Sequence, residues 1–172
     1  MQRGYGKAVA ARRGLRAAMM MDAMGLTLLV VAGAYLAAVG RTEAGTGIPQ
    51  GLQIVTLASL IGCVATADKA VLRKRTVIVD VLGAGTWALA VVLTPVAMIQ
   101  RLEAVAHSLV PMHLLMLVWL SLHGAVGVAL AAIALRWRED RPLRRLRLWQ
   151  RWLAVTGGVV LAFPYVLGLV AG

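Results

Sequence analysis

Five long apolar segments, separated by short polar stretches, dominate the chain. They lie near residues 19–39, 51–68, 77–99, 108–135 and 152–171. Because about 20 helical residues cross the hydrocarbon core of a bilayer, each segment predicts a transmembrane helix. A backbone in lipid must satisfy its own hydrogen bonds, and these uniformly apolar segments lack the alternation of barrel strands. The pattern therefore predicts an all-α, polytopic transmembrane helical bundle with about five spans, forming one integral membrane domain over residues 1–172.

Composition supports this prediction. The chain has 172 residues, of which 60% are hydrophobic, and its mean hydropathy is +0.81. A soluble domain of this size cannot bury that much apolar surface, so lipid is expected to cover the remainder. The first segment is long enough to span a bilayer, and we interpret it as a transmembrane helix rather than a secretory signal.

Positive charge is distributed unequally between the polar stretches. Of the 18 Lys and Arg residues, all but Arg41 and Arg101 fall before the first segment, between the second and third, or between the fourth and fifth. Because basic residues near span ends stay on the cytoplasmic side, this predicts an N-in, C-out protein of a bacterial inner membrane. In this topology, residues 1–18 form a basic cytoplasmic N-terminal segment, and residues 136–151 form a basic cytoplasmic loop. The net charge of +11 then faces anionic lipid headgroups, and nucleic-acid binding is not expected.

The stretch 136–151 alternates apolar and basic residues at helical spacing, which predicts a helix lying at headgroup level. Its Arg and Trp side chains are expected to anchor the protein in the lipid interface, because indole rings favour that depth. A docking site for an acidic cytoplasmic partner is the alternative. The predicted anchors are Arg144, Arg145, Arg147, Arg151, Trp137, Trp149 and Trp152.

Ionisable residues inside apolar spans are costly, so they are candidates for function. Asp22 lies just inside the first span and Asp80 just inside the third. Both are expected near the cytoplasmic headgroups, where Arg16 and Arg75 could pair with them. A small transporter would use these two carboxylates.

His123 falls near the middle of the fourth span, and His113 lies nearer its outer end. A buried imidazole needs hydrogen-bond partners or a metal. His123 could be an axial ligand of haem b or another porphyrin, or it could make an interhelical hydrogen bond. Ten residues of helix separate the two histidines by about 15 Å, so they cannot ligate one iron from the same continuous helix. A single cysteine, Cys63, excludes an intrachain disulfide.

The segment from His113 to Gly127, which contains His123-Gly-Ala-Val-Gly127, precedes the basic loop ending Trp149-Gln-Arg-Trp152 and a last apolar span. This arrangement resembles the C-terminal half of HemJ-type protoporphyrinogen oxidases and copper-resistance-D-like membrane proteins. The resemblance covers about sixty residues and implies a related helical bundle. The chain departs from the pattern because its second span has no histidine and Met112 and His113 stand where a lysine is expected. The resemblance therefore does not imply retained haem or oxidase activity.

Motifs of soluble enzymes, such as a phosphate-binding loop, His-Glu-x-x-His or Gly-x-Ser-x-Gly, do not occur in the sequence. The sequence thus favours a non-enzymatic integral membrane subunit or accessory protein that packs against protein partners, or a second copy, through small residues. A haem- or pigment-associated redox membrane protein using His123 is the second interpretation, and a small transporter is the third.

Overall fold

The structure is a computed structural model that describes residues 2–40, 50–72, 77–99, 109–137 and 140–171. These residues form five α-helices: α1 (Gln2–Gly40), α2 (Gln50–Leu72), α3 (Val77–Ile99), α4 (Leu109–Trp137) and α5 (Asp140–Ala171). Within those ranges every residue is helical, which confirms the all-α prediction. The described part of the chain contains two stretches, Val9–Leu36 and Met112–Trp137, that are long and apolar enough to cross a membrane.

Helices α2, α3, α4 and α5 form a four-helix ring in which each helix packs against the next and α5 returns to α2. Successive helices run antiparallel. Two contacts in each pair show the direction: Gly62 and Thr66 of α2 lie against Trp87 and Gly83 of α3, Ala88 and Gly85 of α3 against Gly124 and Ala131 of α4, and His113 and Gly127 of α4 against Val160 and Gln150 of α5. Helix starts and ends consequently alternate between the two ends of the bundle.

Small residues allow α3 and α4 to approach closely. A Cβ atom on Gly124 would lie 3.1 Å from the backbone carbonyl oxygen of Ala88, and Ala84, Ala88, Ala131 and Ala134 are all buried. Where the hydrophobic drive between helices is weak, as in lipid, such close backbone packing supplies attraction through van der Waals contact. Gly124 therefore lies where α3 and α4 touch.

Helix α1 lies outside the ring and packs principally against α4 and α5. Its buried contacts are few: Leu26 joins the main apolar core, and Gly33 lies against the Phe163 ring of α5 and Met112 of α4. A Cβ atom on Gly33 would overlap that ring, so glycine is what lets α1 approach there. Most of the remaining α1 surface from Met20 to Val39 is exposed and apolar.

The structure corrects the prediction for residues 136–151. The sequence pattern suggested a separate headgroup-level helix, but α5 begins at Asp140 and continues without interruption into the last apolar segment. Leu143 and Leu146 are buried in a cluster with residues of α2, α3 and α4 instead of facing lipid. The apolar stripe therefore packs on protein. Helix α1 likewise begins at Gln2, so the basic N-terminal segment is helical from there.

Candidate functional site

His123 is the central residue of α4, and its side chain is buried between helices. Its Nδ1 atom lies 2.7 Å from the backbone carbonyl oxygen of Trp119, one helical turn earlier. Its Nε2 atom lies 2.9 Å from the Oδ2 atom of Asp22 on α1. Both ring nitrogens are therefore used inside the protein, and the interhelical hydrogen bond, one of the two interpretations of His123, is present.

Asp22 reaches His123 because α1 and α4 run antiparallel in a fixed register. The Asp22–His123 contact is matched eleven residues along each helix by the contact of Gly33 with Met112. The Asp22 side chain retains 29% of its exposed area. The expected pairing of Asp22 with Arg16 is therefore replaced by pairing with a histidine 101 positions away.

Two indole rings lie against the His123 ring. The Trp119 centroid is 3.9 Å away with its plane tilted by 35°, and the Trp149 centroid is 5.5 Å away with its plane nearly parallel. Trp149 also donates its Nε1 hydrogen to the His123 carbonyl oxygen at 2.8 Å. Trp149 is thus buried in the protein, which corrects its predicted place in the lipid interface: its ring and its N–H both find partners on α4.

His113 occupies a separate position on α4. Its Nε2 atom donates to the carbonyl oxygen of Val160 on α5 at 3.2 Å, and only 4% of the residue is exposed. The structure does not bring His113 and His123 together. His113 instead ties α4 to α5 toward the end of the bundle away from the charged cluster described below.

The geometry around both histidines fits a porphyrin poorly. Axial ligation needs an imidazole nitrogen with a free lone pair and open space for the macrocycle beside it. The two nitrogens of His123 face the Trp119 carbonyl and Asp22, and its ring is flanked by indoles. His113 is enclosed. Among the described residues, no three His, Cys, Asp or Glu side chains gather into a metal-binding group.

A charged cluster joins α2 to α5 near the cytoplasmic end predicted from sequence. Arg147 Nε lies 2.6 Å from Asp68 Oδ1, and Arg151 donates to Asp68 Oδ2 at 3.0 Å. Two of the predicted lipid anchors are therefore paired with a carboxylate of the protein.

The other predicted residues do not join the Asp22–His123 site. Arg144 and Arg145 are exposed on α5, and Trp137 is 61% exposed at the end of α4. Trp152 is half-buried. Asp80 lies in the first turn of α3, where the positive end of the helix dipole favours a carboxylate.

Sequence reasoning missed the buried amide of Gln150 on α5. This side chain has no exposed area, and neither its Nε2 nor its Oε1 atom has a hydrogen-bond partner. It lies against Gly127 of α4, where an added Cβ atom would be 2.9 Å from Nε2. The signal available in the sequence was a glutamine at helical spacing from the apolar Leu143 and Leu146.

Comparison with protein-family models, curated proteins and solved structures finds no match. The resemblance to HemJ-type and copper-resistance-D-like proteins therefore remains a prediction from short motifs.

Proposed function

We propose that the chain is a five-span protein of a bacterial inner membrane, with its N-terminus in the cytoplasm, that serves as a non-enzymatic accessory subunit of a larger membrane assembly. Its partners would be membrane lipids with anionic headgroups and either other membrane proteins or a second copy of the chain.

The membrane part of the proposal is supported by the outer surface of the bundle. Large apolar side chains are more than half exposed on every helix, as at Leu28, Ile54, Val79, Leu122 and Val155. Soluble monomers rarely expose contiguous apolar surface on this scale. Contact of such a surface with lipid hydrocarbon carries no hydrophobic free-energy penalty, whereas its exposure to water does.

Charge placement supports the proposed orientation. The alternating helix directions gather the starts of α1, α3 and α5 and the ends of α2 and α4 at one end of the bundle. The described basic residues whose side chains are placed all lie near this end, hereafter the basic end: Arg13, Arg16, Lys69, Arg136, Arg144, Arg145, Arg147 and Arg151. Under the positive-inside rule this end faces the cytoplasm. Exposed Arg144 and Arg145 are suited to anionic headgroups.

The main support for the accessory role is that both ring nitrogens of His123 have partners within the protein. Its two nitrogens face a backbone carbonyl and Asp22, so this midspan imidazole serves to join α1 to α4. His113 similarly joins α4 to α5, and Asp68 joins α2 to α5. Because these polar groups bond one helix to another, they favour a structural role for the interior of the bundle. The outer faces then remain available for contact with partners.

A haem-associated redox protein is the competing function and is disfavoured by the same contacts. An iron could bind His123 only after the Asp22 contact or the Trp119 contact was broken, and a macrocycle would have to displace an indole. A small transporter retains one supporting feature, the carboxylate of Asp22 inside the first apolar segment.

Purification from the native membrane in mild detergent distinguishes an accessory subunit from a haem protein. The proposal expects a colourless chain that migrates in a larger complex with stoichiometric partner bands or as a stable oligomer. Absorption spectra, oxidised and reduced, are recorded beside a His123→Ala variant. A Soret band lost in the variant would overturn the proposal in favour of haem binding. A colourless monomer without partners would also contradict it.

A further inference from the structure

In the charged cluster of Asp68, Arg147 and Arg151, two arginines of α5 share one carboxylate of α2. Arg147 Nε lies 2.6 Å from Asp68 Oδ1, and a terminal nitrogen of Arg151 lies 3.0 Å from Asp68 Oδ2. Two positive charges and one negative charge leave one positive charge in excess. At the edge of a bilayer, the natural counter-charge for such an excess is an anionic headgroup.

The charged cluster is accessible from outside the bundle and has further hydrogen-bond donors. The side chains of Arg147 and Arg151 are 35% and 52% exposed. A guanidinium has five N–H groups, and the contacts with Asp68 use Nε of Arg147 and one terminal nitrogen of Arg151. Because Asp68 holds both guanidinium groups in place, their other N–H groups form a preorganised set of donors for phosphate oxygens.

Neighbouring residues extend the basic surface on both helices. Arg144 is exposed and lies one turn before Arg147 on α5, and Lys69 is exposed next to Asp68 on α2. At about 100° per residue, positions 144, 147 and 151 fall within about 60° of one another around the helix axis. These three arginines therefore share one side of α5.

An apolar surface adjoins the charged cluster on the side away from the basic end. Helix α5 starts at the basic end and α2 ends there. One turn beyond Arg151, Val155 is 64% exposed, and two turns before Asp68, Ile61 is 60% exposed. Spacings of four and seven residues keep each apolar side chain on the same side of its helix as the charged one. Exposed hydrocarbon thus continues directly from the charged groups.

We propose that the charged cluster binds the phosphate of an anionic phospholipid, such as phosphatidylglycerol, whose acyl chains lie along Val155 and Ile61. The phosphate supplies the negative charge that the cluster lacks, and Arg147 and Arg151 donate to its oxygens. The adjoining apolar surface favours a lipid over an acidic cytoplasmic protein segment, because a phospholipid joins a phosphate to acyl chains.

This lipid site rests on the proposed placement of the bundle in a membrane, and it deepens that proposal. A general attraction between the basic end and anionic headgroups would act all around the bundle. The lipid site instead lies at one position, between α2 and α5, where a carboxylate of the protein orients two arginines.

Fluorescence quenching by brominated lipids measures occupancy of the lipid site. Bimane is attached to Val155→Cys in a Cys63→Ala background, and the full chain is placed in bilayers of dioleoylphosphatidylcholine. A small fraction of brominated phosphatidylcholine or brominated phosphatidylglycerol is then added, and the ratio of the two quenching efficiencies gives the preference for anionic lipid. Bimane on Leu122→Cys of α4, which is 63% exposed, provides a reference position on another helix.

We expect phosphatidylglycerol to quench at Val155 more than phosphatidylcholine does, and the two lipids to quench equally at Leu122. Arg151→Gln should lower the preference at Val155 by about fivefold, since one arginine near anionic headgroups contributes about that factor. Arg145→Gln is the matched control. It removes the same charge from the same helix at a position about 160° around the axis from Arg147, so the preference should persist.

Equal quenching at Val155 by the two lipids would overturn the lipid site and would favour an acidic protein segment as the partner of the charged cluster. This comparison leaves both arginines unmodified, so it holds whether or not Arg151→Gln folds. An equal loss of preference in Arg151→Gln and Arg145→Gln would also overturn the site, because it would indicate a general field.

Sodium phosphate, compared with sodium chloride at the same ionic strength, should leave the preference at Val155 unchanged. A reduction by phosphate alone would show that the charged cluster binds free phosphate instead of lipid. Absence of quenching at Val155 and Leu122 by either lipid would contradict the membrane placement itself, whereas equal quenching contradicts only the lipid site.

Discussion

At the residue scale, the interior of the bundle is polar in a few places, and nearly every polar group there has an assigned partner. Ser121 bonds the carbonyl oxygens of Leu117 and Val91, and Trp149 bonds that of His123. Among the described residues, the amide of Gln150 is fully buried without a partner, and the indole N–H of Trp152 is also buried without one. An unsatisfied buried amide costs free energy, so this position is a weak point in the folded state.

Replacing Gln150 with leucine should therefore stabilise the protein. The apolar side chain is slightly shorter, fits beside Gly127 and removes a desolvation cost of about 1–3 kcal/mol. Unfolding titrations in mixed micelles of mild detergent and dodecyl sulfate should show a higher midpoint for Gln150→Leu. Gln150→Glu, which keeps the length but adds charge, should lower it. A loss of stability in Gln150→Leu would show that the amide is satisfied in the membrane.

Also at this scale, the sequence located His123 and Asp22 as unusual residues but could not pair them. They are 101 positions apart, and no periodicity connects two different helices at that separation. The predicted position of Trp149 in the lipid interface was wrong for a related reason. Its indole fits both a lipid interface and a polar contact within the bundle, and only the path of α5 decides between them.

At the element scale, α5 departs most from its sequence pattern. A stripe of Leu143, Leu146, Trp149 and Leu153 among arginines is equally consistent with a helix lying on lipid and with one packed on protein. The structure packs it on protein. Periodicity identifies an apolar face, but it does not identify what covers that face.

Truncating Leu146 tests this assignment. Leu146 is fully buried with Ala84, Ala131 and Ala134, so Leu146→Ala should destabilise the bundle by about 2–5 kcal/mol. The neighbouring Arg145→Ala alters an exposed side chain and should change the unfolding midpoint little. If the two variants have equal midpoints, the start of α5 does not pack into the bundle.

The attachment of α1 can be tested by two glycines on the same helix. Gly33→Leu would force a side chain into the Phe163 ring, whereas Gly25 has open space around its Cα atom. Overpacking of this kind costs about 1–3 kcal/mol, so Gly33→Leu should weaken α1 docking and Gly25→Leu should not. The difference is reported by the separation between spin labels on Leu28→Cys of α1 and Leu122→Cys of α4, measured by pulsed electron spin resonance in a Cys63→Ala background. Equal separations in both variants would contradict the docked position of α1.

At the scale of the whole molecule, hydropathy located the helices well. Each of the five apolar segments corresponds to one helix of the structure, with only position 108 outside the described residues, because about 20 consecutive apolar residues leave few alternatives. The helix ends differ most where charge is dense: α1 extends back to Gln2 and α5 back to Asp140. Such segments fold as continuations of a span, and apolarity alone cannot detect them.

The central claim is that all five helices cross a bacterial inner membrane with the basic end in the cytoplasm. Alkaline phosphatase, which is active only outside the cytoplasm, is fused after Thr46, Lys74, Ala104, Glu139 and Gly172 in turn. We predict activity for the fusions after Thr46, Ala104 and Gly172, and none for those after Lys74 and Glu139. Activity at Lys74 or Glu139, or inactivity at Ala104, would contradict the five-span bundle.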